Sequence, residues 1–287
     1  MKKIISIAVV IAVMLCGCSN NTYKHSDRLN AVEQTYWDIE EAINDFLVPD
    51  TDNVEYVNSV KEQISPFREL DEFDSLSWDV FDAVENAYTI DIEKVENLPE
   101  GASLNNIEAT YIRKLDGIVL YPIIKTYPED RQFHVMTHEL CHALLSGSDV
   151  NKNHADFIVE GETELLAFTF TKSLGMESML AYPNGVLVAV WLNDLFGAEQ
   201  VRNAIIADNL DSIIDEVIGS GTYAKINLGG YMSECGIEAE AGRNAAIELL
   251  CHLSKALNKT DVGEKWLGEF TNIFGGVDSK YFKKILS

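Results

Sequence analysis

Val135-Met136-Thr137-His138-Glu139-Leu140-Cys141-His142-Ala143-Leu144 is the stretch on which the reading of this 287-residue chain turns. The pattern from about Asp130 to Leu145 is strongly helical, and Gly147 is expected as its C-cap. Phe133, Val135, Met136, Leu140, Cys141, Ala143 and Leu144 are apolar and cover much of the circumference, so the helix is expected to be largely buried. His138 and His142 are four apart, which puts both imidazoles on one face, one turn apart. Glu139 lies about 100° further round. Two histidines and a glutamate inside a buried helix need a reason, because buried polar groups without partners are costly.

A metal ion supplies that reason. Two imidazole nitrogens so placed can bind one Zn²⁺. Glu139 misses the ligand position but can reach a water on the metal, the geometry of an HExxH motif whose glutamate acts as general base. A catalytic zinc needs a third protein ligand and an open fourth position. The metzincin pattern would require a glycine three residues after His142 and a histidine six after it, but Leu145 and Ser148 stand there. Two candidates remain: His154 in a polar loop, and Glu160 in Val159-Glu160-Gly161-Glu162-Thr163-Glu164.

These residues resemble a family. HExxH followed some 20 residues later by a glutamate on a second helix is the gluzincin arrangement of thermolysin-like peptidases and of aminopeptidases with an N-E-G-F-A-E segment. Glu160-Gly161-x-x-Glu164 is similar to its E-G-x-x-E part, and Glu160 lies 18 residues after His142. The resemblance implies Glu160 as third zinc ligand and Glu164, one turn on, as an acid that hydrogen-bonds a ligand histidine and fixes its tautomer. It also implies peptide-bond hydrolysis with Glu139 as catalytic base, and puts the segment Gly117 to Tyr121 where gluzincins have their substrate-binding edge strand. The aminopeptidase G-x-M-E-N motif is missing, since Gly101-Ala102-Ser103-Leu104-Asn105 lacks its glutamate. Gluzincins add a Tyr or His for the oxyanion; residues 146–159 contain no Tyr, and Tyr182, Tyr223 and Tyr231 lie downstream.

Outward from this centre, residues 28–48 read as an amphipathic helix carrying Leu29, Val32, Tyr36, Ile39, Ile43, Phe46 and Leu47 at helical spacing. Residues 54–64 and 76–88 give two more helical patterns. Ile107 to Arg113 and Gly117 to Tyr121 look like short strands joined by a turn at 115–117. A second long helix is expected from about Ala155 to Leu174. Further helices are expected over 185–196, 198–207, 210–218, 238–257 and 263–274, with glycine breaks at 219–221 and 229–230.

Met1 to Gly17 reads as a targeting signal: Lys2 and Lys3, an apolar run from Ile4 to Leu15, then Leu15-Cys16-Gly17-Cys18. That ending resembles the bacterial lipobox, which implies cleavage after Gly17 and a lipid on Cys18. The net charge is −24, with acids outnumbering bases 46 to 22. No basic stripe interrupts it, which excludes nucleic acid as a partner. Cys141, Cys235 and Cys251 remain beyond the signal. Their odd count argues against a disulfide framework, though a Cys235–Cys251 bond is conceivable in an exported chain.

The expected fold is a helix-dominated α+β chain: a small antiparallel sheet on a zincin-like active-site helix, with a C-terminal helical bundle. The expected organisation is a signal peptide over 1–17, a tether over 18–27, an N-terminal helical region over 28–100 and a metallopeptidase-like domain over 101–287. Two functions compete. One is a zinc peptidase acting on peptide or protein substrates, lipid-anchored at the outer face of a bacterial membrane. The other is a zinc-containing lipoprotein that serves as a binding module without catalysis. Glu139 favours the first, since a structural site has no use for a base beside its ligands.

Overall fold

The computed structural model describes residues 43, 45–91, 94–95, 107–147, 157–177, 180–234, 239–275 and 277–287. The expected signal peptide, Cys18, the tether, His154, Cys235 and nearly all of the 28–48 helix lie outside the described residues. The chain is a helix-dominated α+β protein, and its contacts divide it into two compact units. One draws on Glu33–Asn153 and Thr163–Ala181, the other on His154–Glu162 and Tyr182–Ser287.

In the first unit, β1 (Leu47–Pro49) opens the described fold, so Leu47 belongs to a strand and not to the helix expected through 48. Helix α1 (Thr51–Ile64) follows, capped by Asp50, whose carboxylate accepts the Asn53 N–H at 3.1 Å. At its other end Lys61 donates to the carbonyls of Asp82 and Val84 at 3.0 and 2.7 Å. Those carbonyls lie at and just beyond the end of α2 (Trp78–Asp82). The expected helix over 76–88 is therefore only one short turn. Asn86–Ile90 is instead strand β2, because Tyr88, Thr89 and Ile90 suit a pleated surface and pair on both edges.

The hairpin is as expected, with β3 (Ala109–Ile112) antiparallel to β4 (Gly117–Leu120). Asp116 turns it with φ of 42°, and Gly117 follows because a side chain there would meet the Tyr88 ring at 2.8 Å. The sheet is mixed rather than purely antiparallel: its order is β1-β2-β4-β3, and β2 runs parallel to β4. Consequently β3 is the hairpin strand at the sheet edge, and β4, expected at the edge, is interior among the described strands.

Helix α3 (Glu129–Leu144) carries the deciding stretch, and every residue from Phe133 to Leu144 is buried. It ends three residues before Gly147: Leu145 is the cap, and the Ser146 hydroxyl donates to the His142 carbonyl at 2.6 Å. The Leu144 carbonyl in its last turn accepts the Ser77 N–H at 2.8 Å, so the open end of the helix is satisfied. Helix α4 (Phe157–Ser173) is one continuous rod whose residues from Thr163 onward belong to this unit. Phe170 on it meets Phe67 and Phe73 with ring centroids 4.6 and 5.1 Å apart.

The second unit is helical: α5 (Pro183–Phe196), α6 (Ala198–Ile206), α7 (Leu210–Ile218), α8 (Thr222–Glu234), α9 (Ala239–Ala256), α10 (Thr260–Phe274) and α11 (Ser279–Leu286). Trp191, Ile214, Leu250, Leu253, Leu267 and Phe270 are central to its core. The break at 219–221 is real, since Gly219 and Gly221 take positive φ. Gly229 and Gly230 are not a break but sit inside α8. A side chain at Gly229 would strike the Gly242 carbonyl at 2.7 Å, and one at Gly230 would strike the Phe157 ring. These glycines let neighbouring elements approach closely. Cys251 is a buried free thiol in this core, and burial pushes it up to about 12.

Candidate metal centre

Helix α3 delivers His138 and His142 one turn apart, as their spacing requires, and both are nearly buried at 7 % exposure. Their Nε2 atoms face each other at 3.2 Å. Two ligands on one tetrahedral ion with arms of about 2.0–2.1 Å stand roughly 3.3 Å apart, so the two nitrogens are spaced as two ligands of one ion would be. Glu160, in the first turn of α4, completes the group. One ligand atom from each of His138, His142 and Glu160 lies within 4.8 Å of the others.

The histidines are oriented from behind. Glu164 is fully buried, and its Oε2 lies 2.8 Å from Nδ1 of His138. An ionised carboxylate only accepts hydrogen bonds, so the His138 proton resides on Nδ1 and the Nε2 lone pair points toward His142. Thr163 Oγ1 lies 3.4 Å from Nδ1 of His142 on the corresponding side. Burial alone would raise the Glu164 carboxyl. Hydrogen bonds from His134 and His138, and then their charge, outweigh it and hold the group well below the usual carboxylate range.

Helical periodicity explains the partition of the acids on α4. Glu164 is about 40° round from Glu160, whereas Glu162 is about 160° away on the opposite face. Glu162 accepts from Arg202 Nε and Asn193 Nδ2, both at 2.8 Å, and takes no part in the cluster. Burial pushes its carboxyl up, and Arg202 and Asn193 pull it partly back. Between Glu160 and Glu162, Gly161 is required, because a side chain there would collide with the Gly185 carbonyl of α5.

Glu139 is buried next to the ligands, and its Oε2 accepts the Tyr111 N–H of edge strand β3 at 2.8 Å. The pair and strand order explain why: the Tyr121 N–H bonds Glu108, so alternate residues of β3 turn their amides away from β4, and Tyr111 is one of them. Of the tyrosines considered for oxyanion stabilisation, Tyr223 packs on the second unit's core and the side chain of Tyr231 lies outside the described residues. Tyr182 precedes α5 and is half-buried.

One site residue escapes the sequence reading. His134, 1 % exposed, lies one turn before His138 and meets Glu164 Oε1 at 3.1 Å. The signal was present as a third histidine at the same four-residue interval, but its partner is visible only in three dimensions.

The donor set of two imidazoles and one carboxylate suits Zn²⁺, and it fits the buried, paired geometry here. No family model, curated protein or solved structure matches the chain. Fold and site together therefore define a class only: a helix-dominated α+β protein with a His₂Glu cluster of metal-ligating geometry, its histidines buried and its glutamate partly so, flanked by a carboxylate that is not part of it.

Proposed function

We propose that this protein is a zinc-dependent peptidase of gluzincin type. The observation that carries the reading is the pair of facing Nε2 atoms at 3.2 Å, with Glu160 beside them and Glu139 next on the same helix. His138, His142 and Glu160 would hold the ion. When bound, zinc supplies Lewis-acid polarisation of a carbonyl and a nucleophile at neutral pH.

The chain's own residues do the rest. Glu139 takes a proton from water during attack and returns it to the leaving amine. The Tyr111 N–H steadies one of its oxygens. Glu164 keeps the His138 proton on Nδ1, so Nε2 stays available for the metal. The burial of α3 limits bulk water around the reacting groups, which strengthens every charge interaction there.

The setting is part of the same proposal: export, cleavage before Cys18, and a lipid on Cys18 that holds the enzyme at the outer face of a bacterial membrane. Among the described residues no helix is long and apolar enough to cross a membrane.

Metal analysis of the purified protein should find about one zinc per chain. Glu139→Gln should retain it and lose peptide cleavage by about 10²–10⁴-fold. Cleavage at the wild-type rate in that variant would remove Glu139 from the mechanism. Mass-spectrometric readout of a peptide library would define the substrate.

A further inference from the structure

Three histidines recur at four-residue intervals on one face of α3, but only two of them join the ligand group. His134 turns to α4, where it meets two residues seven apart: Glu164 Oε1 lies 3.1 Å from its Nε2, and Thr171 Oγ1 lies 3.4 Å from its Nδ1. Residues seven apart share a helix face, so the periods of the two helices interlock here. Thr171 is itself fixed, donating to the Ala167 carbonyl at 2.8 Å.

Glu164 thus divides its two oxygens. Oε2 serves His138; Oε1 serves His134 and also accepts the Ala181 N–H, at 2.6 Å. A glutamate's terminal torsion is soft, so holding one oxygen does not fix the other. Beside the Ala181 amide, His134 removes that freedom from a point on the same helix as His138 and His142. We propose that His134 is a positioning residue: through the shared carboxylate of Glu164 it fixes the ring of His138 so that Nε2 faces His142 and Glu160. This rests on the zinc reading above.

A histidine–glutamate pair serving only to hold two helices together would affect folding and leave metal affinity alone. The test separates these roles. Zinc affinity is measured by competition with a chromophoric chelator on the full chain, for wild type, His142→Ala, His134→Phe and His134→Gln, beside thermal melts of the metal-free proteins. His134→Phe should bind zinc about 10-fold more weakly, at the low end of what groups behind the ligands contribute. His134→Gln, which keeps an N–H for Glu164, should recover most of that loss. Unchanged zinc affinity in folded His134→Phe overturns the proposal, whatever happens to its melting temperature. If that variant does not fold, Thr171→Val takes its place: weakened zinc binding supports the relay, and wild-type affinity overturns it. Wild-type protein that binds no zinc overturns the zinc reading and this inference together. Zinc binding that His142→Ala abolishes and His134→Phe leaves intact overturns only the role of His134.

Discussion

Glu162 and Glu164 are both fully buried carboxylates on α4, two residues apart, yet their surroundings make them different devices. Glu162 is answered by Arg202, a cation that cannot lose its charge, and by the Asn193 amide. Glu164 is answered by two imidazoles and a backbone amide. A guanidinium bound to a carboxylate makes a fixed lock. An imidazole bound at one nitrogen carries a second, and that of His138 faces His142. Burial therefore does not tell function from structure on this helix; the second valence of the partner does. The closed pair belongs to the helical unit, and the other carboxylate faces His134 and His138.

That contrast can be broken by mutation. The largest effect is expected at the lock. Glu162→Leu withdraws the carboxylate from a buried guanidinium that cannot neutralise itself, and should cost about 3–5 kcal/mol in chemical denaturation. The double variant Glu162→Leu/Arg202→Leu should recover most of it, because well-packed apolar residues often replace a buried ion pair at little cost. Zinc affinity should stay at the wild-type level in the folded double variant. A loss there would mean that Glu162 belongs to the site after all. The next effect runs the other way. Glu164→Gln should weaken zinc binding about 10–100-fold, read by chelator competition, since it replaces the acceptor that holds the His138 proton on Nδ1. Wild-type affinity in that variant would erase the distinction between the two acids.

Much of this was legible in the sequence, for physical reasons that also mark its limits. His138, Glu139 and His142 stand out because a four-residue interval means one helix face whatever the tertiary structure. Glu160 and Glu164 are readable by the same rule once the second helix is assumed. The hairpin of β3 and β4 is local and announces itself through its turn at Asp116-Gly117. Strand β2 does not. Its pairing with β4 is parallel and non-local, and Phe81, Val84 and Tyr88 imitate a helical spacing. Gly229 and Gly230 look like a break because a sequence cannot show the Gly242 backbone and the Phe157 ring that demand them. His134 is the instructive omission: on α3 alone it is one more buried side chain, and only the carboxylate from another helix gives it a role.

The smallest of the expected effects separates the two acids by pH in the metal-free protein. Glu164 is held below the usual carboxylate range, so just beneath about pH 4.3 its native form binds fewer protons than the unfolded chain. Its contribution is fully present above that value and is lost as the pH falls. Glu162 is shifted upward by burial, so above about pH 4.3 the native form binds more protons than the unfolded chain. Its contribution is present on the acid side and is lost as the pH rises through its raised value. Urea denaturation across the range from about pH 3 to 7 should therefore show opposite changes in slope. Glu164→Gln should flatten the fall toward acid, and Glu162→Gln should flatten the fall on the other side. Both variants acting on the same limb would show that the two carboxylates are one kind of buried acid. In that case the kind of partner would no longer distinguish the site from the scaffold.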